Sequence, residues 1–323
     1  ADVARAESLL QPLLALHERV RDAVVDACTR RSTEHLATVA VDGAQDGDTI
    51  YAVDRVAEET LAQGLADLAR DEPLCVVGEG LGDTLGGDGR WRLLVDPIDG
   101  TRGLMYQKRS AWILTGVAPN RGPDTRLRDI VLAIQTEIPL VKQHLADQLW
   151  TFRGEEMQAR RYNRVTSAHE HLTLHPSRAD TIAHGFATLV RFFPGARALL
   201  AAIDDEVAQA LVPSTPGKAS TFEDQYASTA GELYELMAGH DRFIADLRAL
   251  VSAGLCCHPY DLSASLIAEA AGVILTDPGG APLDAPFDVT TDVSWIGYAN
   301  ERLRARIEPV LREALKRRGL LVL

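Results

Sequence analysis

The sequence predicts a layered α/β or α+β fold. Helical and strand periodicities are interleaved along the whole chain. The 323 residues are 46 % apolar and 24 % charged, close to a globular average that can bury a full core. No repeat or low-complexity tract interrupts the pattern. That length suits two domains or one large one, and a shift toward helix suggests a division into 1–155 and 156–323.

The elements follow in order. Leu9, Leu10, Leu13, Leu14, His17 and Val20 recur at helical spacing and predict an opening amphipathic helix. Thr33–Asp54, with Gly43 and Gly47, reads as hairpin plus loop. Asp54–Arg70 returns to helix, since Ala57, Leu61, Leu65 and Leu68 share a face. Leu74–Val77 is a short strand ending at Gly78-Glu79-Gly80, and a glycine-rich hairpin, Gly82–Gly89, leads to a strand at Trp91–Val95. Further strands are expected at Ala111–Val117, Ile130–Thr136 and Gln148–Arg153. Ala179–Ala210 reads as helical, then a polar stretch Pro213–Thr221 precedes a helix at Gln225–Ala238. Phe243–Leu247, Val273–Thr276 and Val293–Ala299 are expected strands; Asp261–Ala271 and Arg302–Arg318 are expected helices.

Charge and cysteine content narrow the function classes. With 33 Lys+Arg against 46 Asp+Glu, the formal charge is −13, which argues against general nucleic-acid or membrane-surface binding. No apolar run approaches the length that spans a bilayer, and the N-terminal stretch lacks a basic leader, so a cytoplasmic protein is expected. Cys28, Cys75, Cys256 and Cys257 include no CxxC pair for zinc and are expected as reduced thiols.

Four segments put carboxylates at strand ends or helix starts: Asp54 with Glu58, Glu79, the Asp96/Asp99 pair, and Asp261. In Asp96-Pro97-Ile98-Asp99-Gly100-Thr101, Pro97 fixes φ and removes a donor, while Gly100 permits a sharp bend. The two aspartates can then be held on one side of a turn. Converging hard oxygen ligands suit Mg²⁺. For any one aspartate alone, an Asx-turn capping a helix at Thr101 is the simpler reading.

Gly78-Glu79, Asp96–Thr101 and Tyr260-Asp261-Leu262-Ser263-Ala264 occur in the order and spacing of the inositol monophosphatase family, which the sequence resembles almost end to end. The hexapeptide matches that family's signature in full. Asp54 and Glu58 resemble its early Asp-x-x-x-Glu, Asp147–Glu156 its strand and glycine turn, and Gly272–Leu283, with Asp277 and Gly279, the segment after the last catalytic helix. The resemblance implies an αβαβα sandwich and a lithium-sensitive, Mg²⁺-dependent phosphomonoesterase, cytoplasmic and homodimeric. It implies two or three Mg²⁺ ions, with Mn²⁺ as a substitute. Glu79, Asp96 and the Ile98 carbonyl would hold one ion; Asp96, Asp99 and Asp261 would hold a second. Glu79, Thr101 and Asp54 would be the catalytic groups, the last two orienting or deprotonating the attacking water. The Gly100 and Thr101 amides would receive the phosphate of a small phosphorylated substrate, an inositol phosphate or sugar phosphate-like monoester. Asp261 would also serve as N-cap of a helix over Leu262–Ala271. Water would attack phosphorus directly, with no phosphoenzyme.

The chain departs from the family at several places: Gly80 replaces a second acid, Tyr51 a threonine, Leu104 an aromatic, and Tyr260 a tryptophan. Gly154-Glu155-Glu156 replaces a glycine-x-glycine turn. None removes a metal ligand, although Gly80 bears on a third ion. A fructose-1,6-bisphosphatase or a 3′-phosphoadenosine-5′-phosphate phosphatase shares these motifs. A non-catalytic phospho-ligand-binding protein should have lost at least one of the acids.

Other features carry less. His169-Glu170-His171 with His175 lacks zinc spacing and reads as surface or rim histidines. Pro216-Gly217-Lys218-Ala219-Ser220 lacks the earlier glycine of a phosphate loop, and Gly78–Gly82 is too short for a dinucleotide fingerprint. Arg191 and Arg197, beside Phe192-Phe193, are candidates for a lid at the substrate rim, or for part of a dimer interface. Such a lid would suit a larger or doubly anionic phosphate.

Overall fold

The structure is a computed structural model and describes residues 2–38, 51–81, 89–251 and 254–321. The loop expected around Gly43 and Gly47, and the body of the glycine-rich hairpin at 82–88, lie outside the described residues. The chain opens with helices α1 (Asp2–Arg30), α2 (Thr33–Leu36) and α3 (Ala52–Leu68). Leu9, Leu13, Leu16 and Val20 of α1 pack with Val53, Ala57, Leu61 and Leu65 of α3, at the spacing that puts one helix face against another.

A seven-stranded sheet follows: β1 (Leu74–Gly78), β2 (Trp91–Asp99), β3 (Ala111–Pro119), β4 (Leu132–Ile138), β5 (Leu145–Phe152), β6 (Gln158–Asn163) and β7 (Ala168–His171). The strands lie in sequence order; β1 and β2 are parallel and every later pair is antiparallel. Successive residues of β2 enter different cores, as strand pleating requires. Leu93 and Val95 face α1 and α3, whereas Leu94 joins Leu233 and Ile267 on the opposite face. The short helix α4 (Thr101–Met105) links β2 to β3.

The rest of the chain forms strand β8 (Phe186–Leu189), helices α5 (Arg197–Leu211) and α6 (Thr229–Met237), strand β9 (Asp241–Asp246), helix α7 (Ser265–Ala271), strands β10 (Ile274–Thr276) and β11 (Trp295–Tyr298), and helix α8 (Glu301–Arg317). Its four strands lie in the order β10-β11-β9-β8. Helices α6 and α7 pack between the sheets, touching β3, β4 and β5 on one side and β9, β10 and β11 on the other. Helices α5 and α8 pack against each other outside the second sheet, where Leu303, Ile307 and Leu311 meet Leu200 and Ile203 in one cluster. The layers therefore run helix, sheet, helix, sheet, helix.

Several expectations need correction. The helix read over Ala179–Ala210 is mostly something else: Phe186–Leu189 is a strand pairing in parallel with β9, and only Arg197 onward is helical. Long-range pairing overrides the local Ala and Leu content there. Strands β6 and β7 carry the larger sheet past residue 155 to His171, and their polar faces hide them from hydrophobic patterning. Asp261 is not the N-cap of the following helix; it sits in a 3₁₀ turn, Pro259–Leu262, and α7 begins only at Ser265. Among the described residues no helix is long and apolar enough to cross a membrane.

Candidate active site

A bulge in β2 builds the centre of the site. Asp96 pairs with Leu114 and Asp99 with Trp112, so three steps on β2 match two on β3. Three residues apart on a regular strand, the two carboxylates would point to opposite faces. The extra residue at Pro97-Ile98, where proline cannot donate to the ladder, returns both to the same face. Asp261, from the 3₁₀ turn, joins them, and one carboxylate oxygen of each lies within 4.8 Å of the others.

Each acid commits one oxygen to a backbone amide. Asp96 Oδ1 accepts from Ile98 N at 3.0 Å, Asp99 Oδ2 from Ala230 N at 2.5 Å, and Asp261 Oδ2 from His258 N at 2.6 Å. Ser228, the N-cap of α6, adds its hydroxyl to Asp99 at 3.0 Å, so an anion sits at that helix's positive end. The other oxygen of Asp96 is buried with no hydrogen-bond partner among the described residues. Burial, and then Glu79, Asp99 and Asp261, hold the Asp96 carboxyl well above the usual range. Burial and Asp99 do the same to Asp261. A buried orphan oxygen within a crowd of carboxylates is a donor set that suits a hard divalent cation. Glu79 completes the wall, with Tyr260 Oη 3.5 Å from its Oε1.

Beside the acids stands a short hydrogen-bonded chain. Thr101 Oγ1 donates to Asp54 Oδ1 at 2.7 Å and lies 3.1 Å from the Ile98 carbonyl. Asp54 Oδ2 accepts from Tyr51 N at 2.7 Å, which fixes the carboxylate at the start of α3. Gly100, at φ +97°, takes the left-handed turn that starts α4, so the Gly100–Thr101 backbone borders the cleft. Glu58 packs over Gly80, where a Cβ would collide with its carboxylate. Burial, then the nearby Asp54, pushes Glu58 up to about 7.

The structure thus brings Glu79, Asp96, Ile98, Asp99, Gly100, Thr101 and Asp261 to one cleft, with Asp54 reached through Thr101. It turns the two candidate rim arginines elsewhere. Arg191 pairs with Asp204 at 3.1 Å and also with Glu223, and Arg197 donates to the carbonyls of Arg191, Phe192 and Phe193. Phe192 and Phe193 do line the cleft, but the cations beside them are Arg248 and Arg102. Sequence reasoning missed both. Arg248 is buried and bidentate to Asp246, two residues earlier on the same stretch, a spacing that could have drawn notice. His169 is tied to Glu18 at 2.9 Å on an exposed strand. Among the described residues the Asp96, Asp99 and Asp261 group is the one cluster with converging ligand atoms.

No family model and no curated protein matches the sequence. Solved structures do match its shape. The extragenic suppressor protein SuhB of Bartonella henselae has a TM-score of 0.67 at 17 % identity, covering 95 % of this chain and 99 % of that one. Fructose-1,6-bisphosphatase of Leishmania major gives 0.70 at 12 %, covering 94 % and 93 %. An IMPase of Thermotoga maritima gives 0.63 at 15 %, covering 96 % and 99 %. The chain therefore has the layered α/β fold of inositol monophosphatase-like and fructose-1,6-bisphosphatase-like proteins.

Proposed function

We propose that this chain is a Mg²⁺-dependent phosphomonoesterase that hydrolyses a small phosphorylated metabolite by direct attack of water. The observation that carries the reading is the convergence of Asp96, Asp99 and Asp261 around an orphaned, buried carboxylate oxygen. Fold likeness to phosphatases supports it. Glu79, Asp96 and the Ile98 carbonyl would hold one ion; Asp96, Asp99 and Asp261 would hold a second. Bound there, Mg²⁺ would neutralise phosphate oxygens and the charge that develops on the departing alcohol.

The chain's own residues supply the rest. The Gly100 and Thr101 amides meet the phosphate at the turn that opens α4. Thr101 Oγ1 donates its hydrogen bond to Asp54 Oδ1 and so keeps a lone pair for the attacking water. As the water oxygen bonds to phosphorus, its proton passes to Thr101 Oγ1 while Asp54 takes the threonine proton. The phosphorus–alcohol bond then breaks, and solvent protonates the departing oxygen. Inhibition by lithium belongs to the same proposal.

The test is inorganic phosphate release from inositol, sugar, nucleotide and alkyl phosphates by the full chain. Release that vanishes with chelator and returns with Mg²⁺ or Mn²⁺ supports the reading. Release unaffected by chelator, or none from any ester, contradicts it.

A further inference from the structure

We infer that the alcohol portion of the substrate is apolar or aromatic rather than a polyol, and that Phe192 and Phe193 select it. This rests on the phosphatase reading above and names the substrate class of that same cleft. Metal and phosphate contacts are the same for every monoester, so discrimination falls to the groups that meet the alcohol. Beyond the acids and the Gly100–Thr101 turn, Phe192, Phe193, Leu255 and Tyr260 line the cleft together with Arg102, Arg248 and small residues. The two phenylalanine rings pack edge to face, with centroids 4.8 Å apart and planes at 85°. Arg248 lies over the Phe192 ring at 4.5 Å and Arg102 over the Phe193 ring at 5.0 Å. Arg197 pins the segment by donating to the carbonyls of both phenylalanines.

The polar side chains of this wall offer hydroxyl hydrogens few acceptors. Arg102 and Arg248 offer donors only. The Ser228 hydroxyl already donates to Asp99 and accepts from Gly231 N at 2.9 Å. Thr229 is engaged with the Cys257 sulfur at 3.8 Å, and Tyr260 Oη lies between Glu79 and His258. Apart from the acids assigned to the metal, Glu79 among them, the described residues of this wall present no carboxylate or amide side chain to accept from a ring of hydroxyls. A polyol entering it would shed water from its O–H groups without gaining side-chain acceptors, whereas an apolar or aryl group loses nothing and gains ring contact.

The experiment compares benzyl phosphate with inositol 1-phosphate, which both release alkyl alcohols, on the full chain with Mg²⁺. Wild type should favour benzyl phosphate in kcat/KM by tenfold or more. Phe193→Ala should cut that preference about tenfold, while Phe193→Leu keeps part of it. A polyol turned over more efficiently than benzyl phosphate, or a preference unmoved in a folded Phe193→Ala, overturns the inference. If no ester is hydrolysed, the phosphatase reading fails, and binding then decides the wall separately. Benzylphosphonate, which cannot be hydrolysed, should bind wild type more tightly than inositol 1-phosphate and lose that advantage in Phe193→Ala. Equal binding of the two would overturn the inference on its own.

Discussion

Two buried polar clusters on opposite faces of the larger sheet behave in opposite ways. On the α1 face, His17 is fully buried and bridges Thr115 Oγ1 at 2.8 Å and Thr136 Oγ1 at 3.0 Å, while Gln148 joins Thr136 at 2.9 Å. Those groups are neutral and mutually satisfied, and burial alone pushes the His17 imidazole down to about 3. On the other face, Asp96, Asp99 and Asp261 crowd together, their carboxyls all raised by burial and, for Asp96 and Asp261, by neighbouring acids as well. One cluster fastens a helix to the sheet with every polar atom in use. The other leaves an acceptor open where a proton or a cation would relieve it. Satisfied polar networks belong to architecture, and unsatisfied ones in a cleft mark chemistry.

The largest expected effect separates the clusters at Asp96. Asp96→Asn should leave less than about 1 % of wild-type kcat, because it weakens a ligand assigned to both ions. The same change should raise the melting temperature of metal-free protein, since it removes one charge from a crowd. Near-normal turnover, or a lower melting temperature without metal, would put Asp96 with the structural polar groups instead.

Thr101→Ala comes next. Loss of the relay to Asp54 should lower kcat roughly 100-fold while KM changes little, as for a proton-transfer group. A variant with raised KM and unchanged kcat would make Thr101 a substrate-binding residue.

His17 tests the architectural side. Its folded pKa lies below the unfolded one, so protonation favours the unfolded chain, and stability falls as pH drops below about 6.5 toward about 3. From pH 7 to pH 5 that costs about 2 kcal/mol, to be read from urea melts at the two values. His17→Gln should flatten this limb and leave turnover nearly unchanged. An undiminished acid limb in the variant would assign the sensitivity elsewhere.

The smallest effect concerns Arg191. Because its guanidinium faces Asp204 and Glu223, Arg191→Ala should lose about 1 kcal/mol of stability and keep the substrate ranking. A changed ranking would return Arg191 to the cleft.

The two clusters also differ in how far the sequence exposed them. Asp96, Asp99 and Asp261 were legible because Pro97 and Gly100 fix a turn that few other residues permit, and because the motifs recur in order. The way the carboxylates reach one face was not legible, since the bulge is defined by pairing with Trp112 and Leu114. Phe192 and Phe193 stood out in the sequence, but their cationic neighbours did not. Arg102 and Arg248 lie far away along the chain, whereas the adjacent Arg191 and Arg197 are drawn off by local carboxylates and carbonyls. Strand β8 was hidden for a similar reason, because its parallel partner, β9, lies more than fifty residues onward.

Calorimetric titration of Mg²⁺ or Mn²⁺ into chelator-treated protein, beside Asp96→Asn, addresses the carboxylate cleft most directly. Two ions bound per wild-type chain, with both weakened in the variant, is the predicted result. No binding to wild type, or identical isotherms for the two proteins, would contradict the account.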